Sequence, residues 1–595
     1  MAGDTIKTRR RNPHFDASPP LVYDPPMKMI GLLPVLVSLL IPLSTFSAPP
    51  PALAHRWIYL QTSLWPEDSM ARTMALLERC AAEGYNGVVF SDYKFMRWDD
   101  VSDEYRAHWR QMREACRRLK LDLIAAVMPM GYSNSLLSRD PNLAEGLPVR
   151  GASFIVQNGV LAVVETATLT NGGFEAFHRN TPDGWILADK PGRITFMDTN
   201  VFLEGHASLR MQDVARHEPR HRHARVAQPL HLKPFHNYRI SLSVKTQDWK
   251  GDDTRIMVLG EDGRTLGSMT PPLKPTQDWQ NQDFTFNTLN SGNVTLYLGT
   301  WAGNTGAIWW DGVRIESAGF VNVLRRDGAP LQITSRYGGV VYEEGRDFEP
   351  VRDPLLGMVP WAGDYAAWHD PPKVRIIPGG RLTEGQRVAA TFYHAAIISG
   401  DQVACCMSEP KTYEILAEQA RQVRQAIQPD GYMMMHDEIR AQGWDDSCAR
   451  RNLAAGEILA DNVRRCVEIL HTADPGKPVY VWSDMFDPNH NARKKGFYYL
   501  VAGQGPWHRS WIGLPPEVAV VNWQMDPRTR RDTLKHFSRL GHRQILAGYY
   551  DGDPAMIASW LKDAGGISGV EGILYTTWQG NYRHTQAFLD AAARP

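Results

Sequence analysis

The sequence has no excess charge of either sign, with 65 Lys and Arg against 65 Asp and Glu. A chain without a net field has little to recruit nucleic acid or an acidic membrane surface. Cysteine is scarce: the six residues show no CxxC pair and no His-rich spacing, so neither a disulfide scaffold nor a zinc site is indicated. Cys80, Cys116 and Cys466 fall in helical patterns and read as buried thiols. There is no GxGxxG and no P-loop, which removes the nucleotide fingerprints, and nothing calls for an organic cofactor in catalysis. The apolar run at 30–41 is too short to cross a bilayer, so no stable membrane span is expected once it is removed.

That run does suit another purpose. Lys28 precedes it, and a Pro-rich stretch ending Ala52-Leu53-Ala54 follows, as in a secretory signal. Arg9-Arg10-Arg11 lie far upstream, which points to translation starting at Met27 or Met29. Residues 1–54 are therefore expected to be a leader, and the protein to be secreted or periplasmic; an uncleaved anchor is the alternative.

The remaining chain is too long for one ordinary domain. From residue 55, near-continuous apolar strands alternate with helical periodicity: strands at 55–63, 84–92 and 121–130, with helices at 66–83 and 103–119. Such strands belong to a parallel sheet buried on both faces. The rhythm stops and resumes near 410, with strands at 431–438, 477–486, 517–526, 543–551 and 569–578. Eight strand–helix units predict an α/β fold, a (β/α)8 barrel interrupted after its third strand. The predicted division is 55–157 and 401–595 for the barrel, 158–318 for an inserted β-sandwich of jelly-roll type, and 319–400 for a strand-rich excursion.

The insertion carries its own signature. Asn171-Gly172-Gly173-Phe174-Glu175, Trp185, the segment 204–209 and Trp309-Trp310-Asp311 resemble carbohydrate-binding modules of families 4, 9 and 22. That resemblance implies a sugar ligand and a structural calcium in the sandwich near Glu175 and Asp311. Trp249, Trp279 and Trp301 then form either a sugar platform or core. The whole chain has 19 Trp, and indole faces pack well on the C–H faces of sugars.

In barrels of this kind the reactive groups gather at the carboxyl ends of the strands. The fourth strand ends His436-Asp437-Glu438, the fifth Trp482-Ser483-Asp484 and the sixth Asn522-Trp523-Gln524. The seventh ends Tyr549-Tyr550-Asp551, and the eighth Thr577-Trp578-Gln579. This set, mainly over 410–580, resembles the β-N-acetylhexosaminidases of glycoside hydrolase family 20. The resemblance implies removal of terminal sugars from an oligo- or polysaccharide by a substrate-assisted, retaining reaction, an exception to the two-carboxylate scheme. By carry-over, Asp437 stabilises the substrate's acetamido group and Glu438 is the general acid/base. One of Tyr549 and Tyr550 bonds the acetamido carbonyl, and Trp482, Trp523 and Trp578 wall the sugar. Where that family has glycines before its acidic pair this chain has Met435-His436, and Met128-Pro129-Met130-Gly131-Tyr132 follow the third strand. His436 reads as a structural or site histidine, and Asp484 as a sugar contact or a helix cap.

Two other readings stand beside this one. Glu438 can pair with Asp551 or Asp484 as conventional glycosidase carboxylates, or the barrel can bind glycan without catalysis.

Overall fold

The computed structural model describes residues 53–594 apart from 66, 165–166, 188 and 399–400. The expected leader's apolar run, 30–41, lies outside the described residues. No helix among the described residues is long and apolar enough to cross a membrane.

Eight strands form a closed parallel barrel: β1 His55–Gln61, β2 Gly87–Ser91, β3 Asp122–Val127, β4 Gly431–Met434, β5 Val479–Trp482, β6 Ala519–Asn522, β7 Gln544–Tyr549 and β8 Val570–Thr576. Each pairs with the next, and β8 closes on β1. Successive side chains on a strand point to opposite faces, so each strand serves two cores. Trp57, Tyr59, Val89, Ile124, Met433, Tyr480, Trp482 and Leu574 point inward and fill the barrel. Ile58, Leu60, Val88, Phe90, Leu123 and Ala125 point outward under the helices. This double burial is why the strands read as continuous apolar runs. The barrel floor is aromatic: Trp57 meets Tyr480 edge-on, 5.0 Å between centroids. Across from it β2 begins with Gly87, where a Cβ would stand 2.3 Å from the Trp57 indole.

The outer layer comprises α1 Glu67–Glu83, α2 Asp103–Leu119, α3 Pro410–Ile427, α4 Ala455–Ala473, α5 Arg530–Arg539, α6 Met556–Ala564 and α7 Thr585–Ala592. Helix α2 shows how the sequence sets its ends. Ser102 accepts the Tyr105 N–H, Asp103 and Glu104 sit in the first turn, and Lys120 closes the helix in the left-handed region at φ 56°. Its Tyr105, Trp109, Met112 and Cys116 form the buried stripe.

β3 lies beside β4, and residues 128–430 run between them. Within that span two five-stranded antiparallel sheets face each other across a shared core. One contains Asn237–Gln247 and Ala307–Ser317 at its centre, the other Asn293–Thr300 and Ala224–His231. Tyr238, Ile240 and Leu242 from the first pack with Val226, Ile256 and Leu296 from the second. A third five-stranded sheet joins Gly146–Gln157 and Val160–Val163 to Gln332–Ser335, Val341–Tyr342 and Arg387–Ala395. The division expected at 157/158 therefore falls inside a hairpin. Val149, Phe154 and Val156 pack with Val388, Ala390 and Phe392, so residues 146–163 belong with the later excursion rather than with the barrel. The partner strand lies more than 200 residues away, and strand alternation by itself does not name a partner.

The tryptophans and carboxylates of the sandwich fall in different settings. Trp249 is core, buried and donating Nε1–H to Thr254, while Trp279 lies on the strand Gln277–Asn287 of one sheet and Trp301 follows the strand Asn293–Thr300 of the other. The three indoles do not form one platform. Asp311 accepts the N–H groups of Leu203 (2.7 Å), Glu204 (3.3 Å) and Gly312 (2.7 Å), and Glu175 accepts from His206 N (2.7 Å). Asp311 is thus held by three backbone donors, whereas Glu175 Oε1 is buried without a hydrogen-bond partner.

Candidate active site

The carboxyl ends of the barrel strands open onto a cavity of about 490 Å³. Its lining includes Tyr59, Asp92, Tyr132, Asp437, Glu438, Trp482, Trp523, Tyr550 and Trp578. Rings form its wall. Tyr59 meets Trp482 at 5.8 Å and Trp578 at 5.3 Å between centroids, and Trp523 stacks on Tyr550 at 5.9 Å. Such a lining, apolar with a few converging polar groups, is the usual form of a small-ligand site.

The acidic pair follows directly on β4. Glu438 takes a left-handed backbone, φ 46°, which is uncommon for a residue with a side chain and is over-represented at functional sites. Its carboxylate is held from two sides: Arg440 Nη2 stands 2.9 Å from Oε1, and the Tyr132 hydroxyl donates to Oε2 at 2.6 Å. Arg440 is itself fixed by donating Nη1–H to Gln402 Oε1 at 2.8 Å, and Gln402 donates Nε2–H to the carbonyls of Gly131 and Glu438. The guanidinium is almost wholly buried, so the pair acts in a low-dielectric setting with little screening.

Asp437 is in the opposite condition. It is buried, and its Oδ1 has no hydrogen-bond partner. Burial, then the charges of Asp484 and Glu438, push its carboxyl well above the ordinary carboxylate range. Asp484 accepts the Glu438 N–H at 3.0 Å, Asn491 Nδ2–H at 2.9 Å and Trp523 Nε1–H at 3.2 Å. Burial outweighs those bonds and raises its pKa to about 7. A Glu438 carboxyl held by a cation and a phenol thus stands beside an Asp437 carboxyl whose pKa burial and neighbouring charge raise. Two acids in such different environments can take different roles in acid and base chemistry.

Trp482, Asp484, Trp523, Tyr550 and Trp578 thus gather with the acidic pair, Asp484 through its bonds to Glu438 and Trp523. Three other expected site residues do not. Tyr549 stacks on Tyr575 at 4.4 Å in the outer core and accepts Asn581 Nδ2–H. Asp551 accepts the Thr577 hydroxyl and the N–H groups of Trp578 (2.8 Å) and Gln579 (3.2 Å), so it braces the loop that carries Trp578. His436 is fully buried against Asn462 Oδ1 at 2.9 Å, and burial lowers its pKa to about 4, which keeps it neutral. The cause at 549–551 is local: three consecutive left-handed residues, φ 78°, 46° and 58°, break the inward–outward alternation that the sequence reading extended to the strand end.

Tyr59, Tyr132, Gln402 and Arg440 were missed in the sequence. Tyr59 was legible as the inward neighbour of Trp57 at spacing two. Tyr132 had a subtler signal in the glycine before it. A Cβ on Gly131 would stand 1.7 Å from the Asp437 carbonyl oxygen, so only glycine lets the turn after β3 close on the acidic pair. Loss of the Tyr132 hydroxyl is testable. A hydrogen bond to a charged group is worth roughly 1.5–3 kcal/mol. In Tyr132→Phe, kcat/KM is expected to fall roughly tenfold to a hundredfold while the thermal midpoint stays near wild type. Unchanged kinetics on a cleaved substrate would remove Tyr132 from the site.

Neither a protein-family model nor a curated protein matches the chain. Solved structures that are similar include a family 4 carbohydrate-binding module, 18% identical, covering 25% of this chain and 99% of its own, TM-score 0.19. The CBM22-1 xylan-binding domain of Paenibacillus barcinonensis Xyn10C is 17% identical over 26% of this chain and 97% of its own, TM-score 0.19. A rhamnosidase from Novosphingobium sp. PP1Y is 11% identical, covering 89% of this chain and 55% of its own, TM-score 0.28.

Proposed function

We propose that the chain is a glycoside hydrolase that removes a terminal sugar held in the aromatic-walled cavity at the barrel mouth. The observation that carries this reading is the pairing of a proton-retaining Asp437 with a Glu438 carboxylate fixed by Arg440 and Tyr132. In this reading Asp437 gives its proton to the glycosidic oxygen as the bond to the anomeric carbon breaks, and the Glu438 carboxylate stabilises the positive charge that develops there. Water then supplies a hydroxyl to the anomeric carbon and returns a proton to Asp437. These roles reverse those the hexosaminidase resemblance implies, because both Glu438 oxygens are engaged by Arg440 and Tyr132 while Asp437 Oδ1 has no partner. Trp482 lines the cavity with an indole, the kind of apolar wall on which a sugar's C–H face packs.

A second reading, the substrate-assisted one, is favoured by Tyr550, whose phenol lies close enough to Asp437 to feel its charge. There Asp437 and Tyr550 would hold an acetamido group. A thiazoline mimic of the cyclised intermediate separates the two, inhibiting only the substrate-assisted enzyme.

The test is a panel of aryl glycosides, with the N-acetyl-glucosaminide and N-acetyl-galactosaminide first. Release of aryl alcohol from at least one member is expected, and a panel with none would sink the enzymatic reading in favour of glycan binding alone. The pH profile follows from the same carboxyls. The raised Asp437 carboxyl holds its proton at low pH and loses it as pH rises, so kcat is expected to fall with rising pH at values above the ordinary carboxylate range. A rate that climbs through that window would contradict Asp437 as the proton donor. The reading also makes the chain an exported enzyme with 1–54 as its leader, and mature protein confined to the cytoplasm on fractionation would contradict that.

A further inference from the structure

Sequence spacing shows no metal motif, yet four ligand-bearing side chains from distant parts of the chain meet in the interior. Glu145, Cys406, Asp445 and Cys448 are all buried, and one ligand atom from each lies within 4.8 Å of the others. Glu145 immediately precedes Gly146–Gln157, where the excursion leaves the barrel, and Cys406 lies four residues before α3, where it returns. Asp445 caps the short helix Asp446–Ala449 that contains Cys448, in the loop after β4.

The spacing matches that of a coordination shell. Zinc bound tetrahedrally at Zn–S of about 2.3 Å sets its ligand sulfurs roughly 3.8 Å apart. Here Cys406 Sγ and Cys448 Sγ are 3.6 Å apart, and Cys448 Sγ is 3.7 Å from Glu145 Oε2. The surrounding contacts orient the four groups without using them up. Glu145 Oε1 accepts the Trp444 N–H at 2.9 Å, leaving Oε2 toward the sulfur. Asp445 accepts Cys448 N–H and Arg326 Nη2–H, at 2.9 and 2.7 Å. Gln442 donates Nε2–H to Cys448 Sγ at 2.9 Å, as a second-sphere donor does to a thiolate. Ser408 Oγ stands 3.2 Å from the same sulfur.

Charge points the same way. Arg326 is the basic group on this cluster, and it is already shared between Asp445 and Glu409. Glu145 lies buried in the same cluster as Asp445. A divalent ion would remove this imbalance.

We propose that Glu145, Cys406, Asp445 and Cys448 form a structural site for a divalent metal of zinc type, which ties the two ends of the excursion to the loop after β4. Binding would displace the protons of Glu145 and the two thiols, so affinity rises with pH. The ion would be four-coordinate and shut off from solvent, a closed structural site apart from the catalytic cavity. A Cys406–Cys448 disulfide would explain the two sulfurs but not the two buried carboxylates converging on them.

The full chain, produced with zinc in the medium and dialysed into metal-free buffer, is expected to retain about one zinc ion per molecule by elemental analysis. Replacement with Co²⁺ should give the intense sulfur-to-cobalt absorption of a thiolate site, and both signals should vanish in Cys406→Ser. Cys466→Ser, which alters a buried thiol in α4 outside the cluster, should keep the ion. If Cys406→Ser does not fold, the wild-type protein decides alone. Metal-free wild type with both thiols titratable in denaturant overturns the proposal, as does a Cys406–Cys448 disulfide found by mass spectrometry.

Discussion

Asp437→Asn is expected to lower turnover by a factor of roughly 10²–10⁴ and, at neutral pH, to make the protein more stable. The first effect follows from loss of the proton donor. The second follows from burial. A carboxyl whose folded pKa lies above its ordinary 3.8 contributes stability that is complete below that value and is lost as pH rises through the folded value. Near neutral pH the wild type therefore bears the cost of either the retained proton or the buried charge, a pH-dependent cost that the neutral amide lacks. Asn also leaves the packing unchanged, because Asp437 Oδ1 has no partner to lose. The thermal midpoint of the variant should match wild type near pH 4 and exceed it by roughly 2–4 °C at pH 7, about what 1 kcal/mol yields in a large domain. Thermal scans at the two pH values check this. A variant that is less stable at both would mean that Asp437 is a structural acid with a partner, not a strained catalytic one.

Gly131→Ala is expected to damage the site without touching any of its side chains. The added methyl would meet Asp437 O at 1.7 Å and Asp437 C at 2.9 Å. Both are backbone atoms, so no rotamer change relieves the contact, and the turn or the Asp437 peptide must move by an ångström or more. The turn is tied to the acidic segment by Met130 N–H to Met435 O, by Gln402 to the Gly131 carbonyl and by Tyr132 to Glu438. All three connections would be strained at once. A misplacement of about 1 Å costs on the order of a hundredfold in rate, and overpacking costs roughly 1–3 kcal/mol in stability. Comparison of kcat/KM and denaturation midpoint for the alanine variant tests this, and values close to wild type in both would show that the turn is not what positions the pair.

The barrel was legible in the sequence because each strand is buried on both faces. Runs such as Gly87–Ser91 and Val479–Trp482 carry no polar face to blur them, and their spacing leaves room for one helix between strands. The ends of β4, β5, β6 and β8 were legible for the same reason, since a polar residue closing such a run lies at the barrel rim. What failed were inferences that needed three-dimensional detail. Tyr549 and Asp551 follow a regular strand in sequence but a left-handed turn in space, so the first points into the outer core and the second into the neighbouring loop. Arg440 and Tyr132 hold the Glu438 carboxylate in place, yet one follows a backbone reversal and the other comes from 306 residues away. The Glu145–Cys448 cluster was invisible for the same reason, with ligands 145, 406, 445 and 448 matching no spacing a motif would use.

The most direct test is to incubate wild type and Asp437→Asn side by side with a panel of natural oligosaccharides and to separate the products by chromatography. Free monosaccharide is expected from at least one oligosaccharide with the wild type, and none above the uncatalysed level with the variant. Equal release by both proteins, or sugars bound by the wild type and recovered uncut, would contradict it.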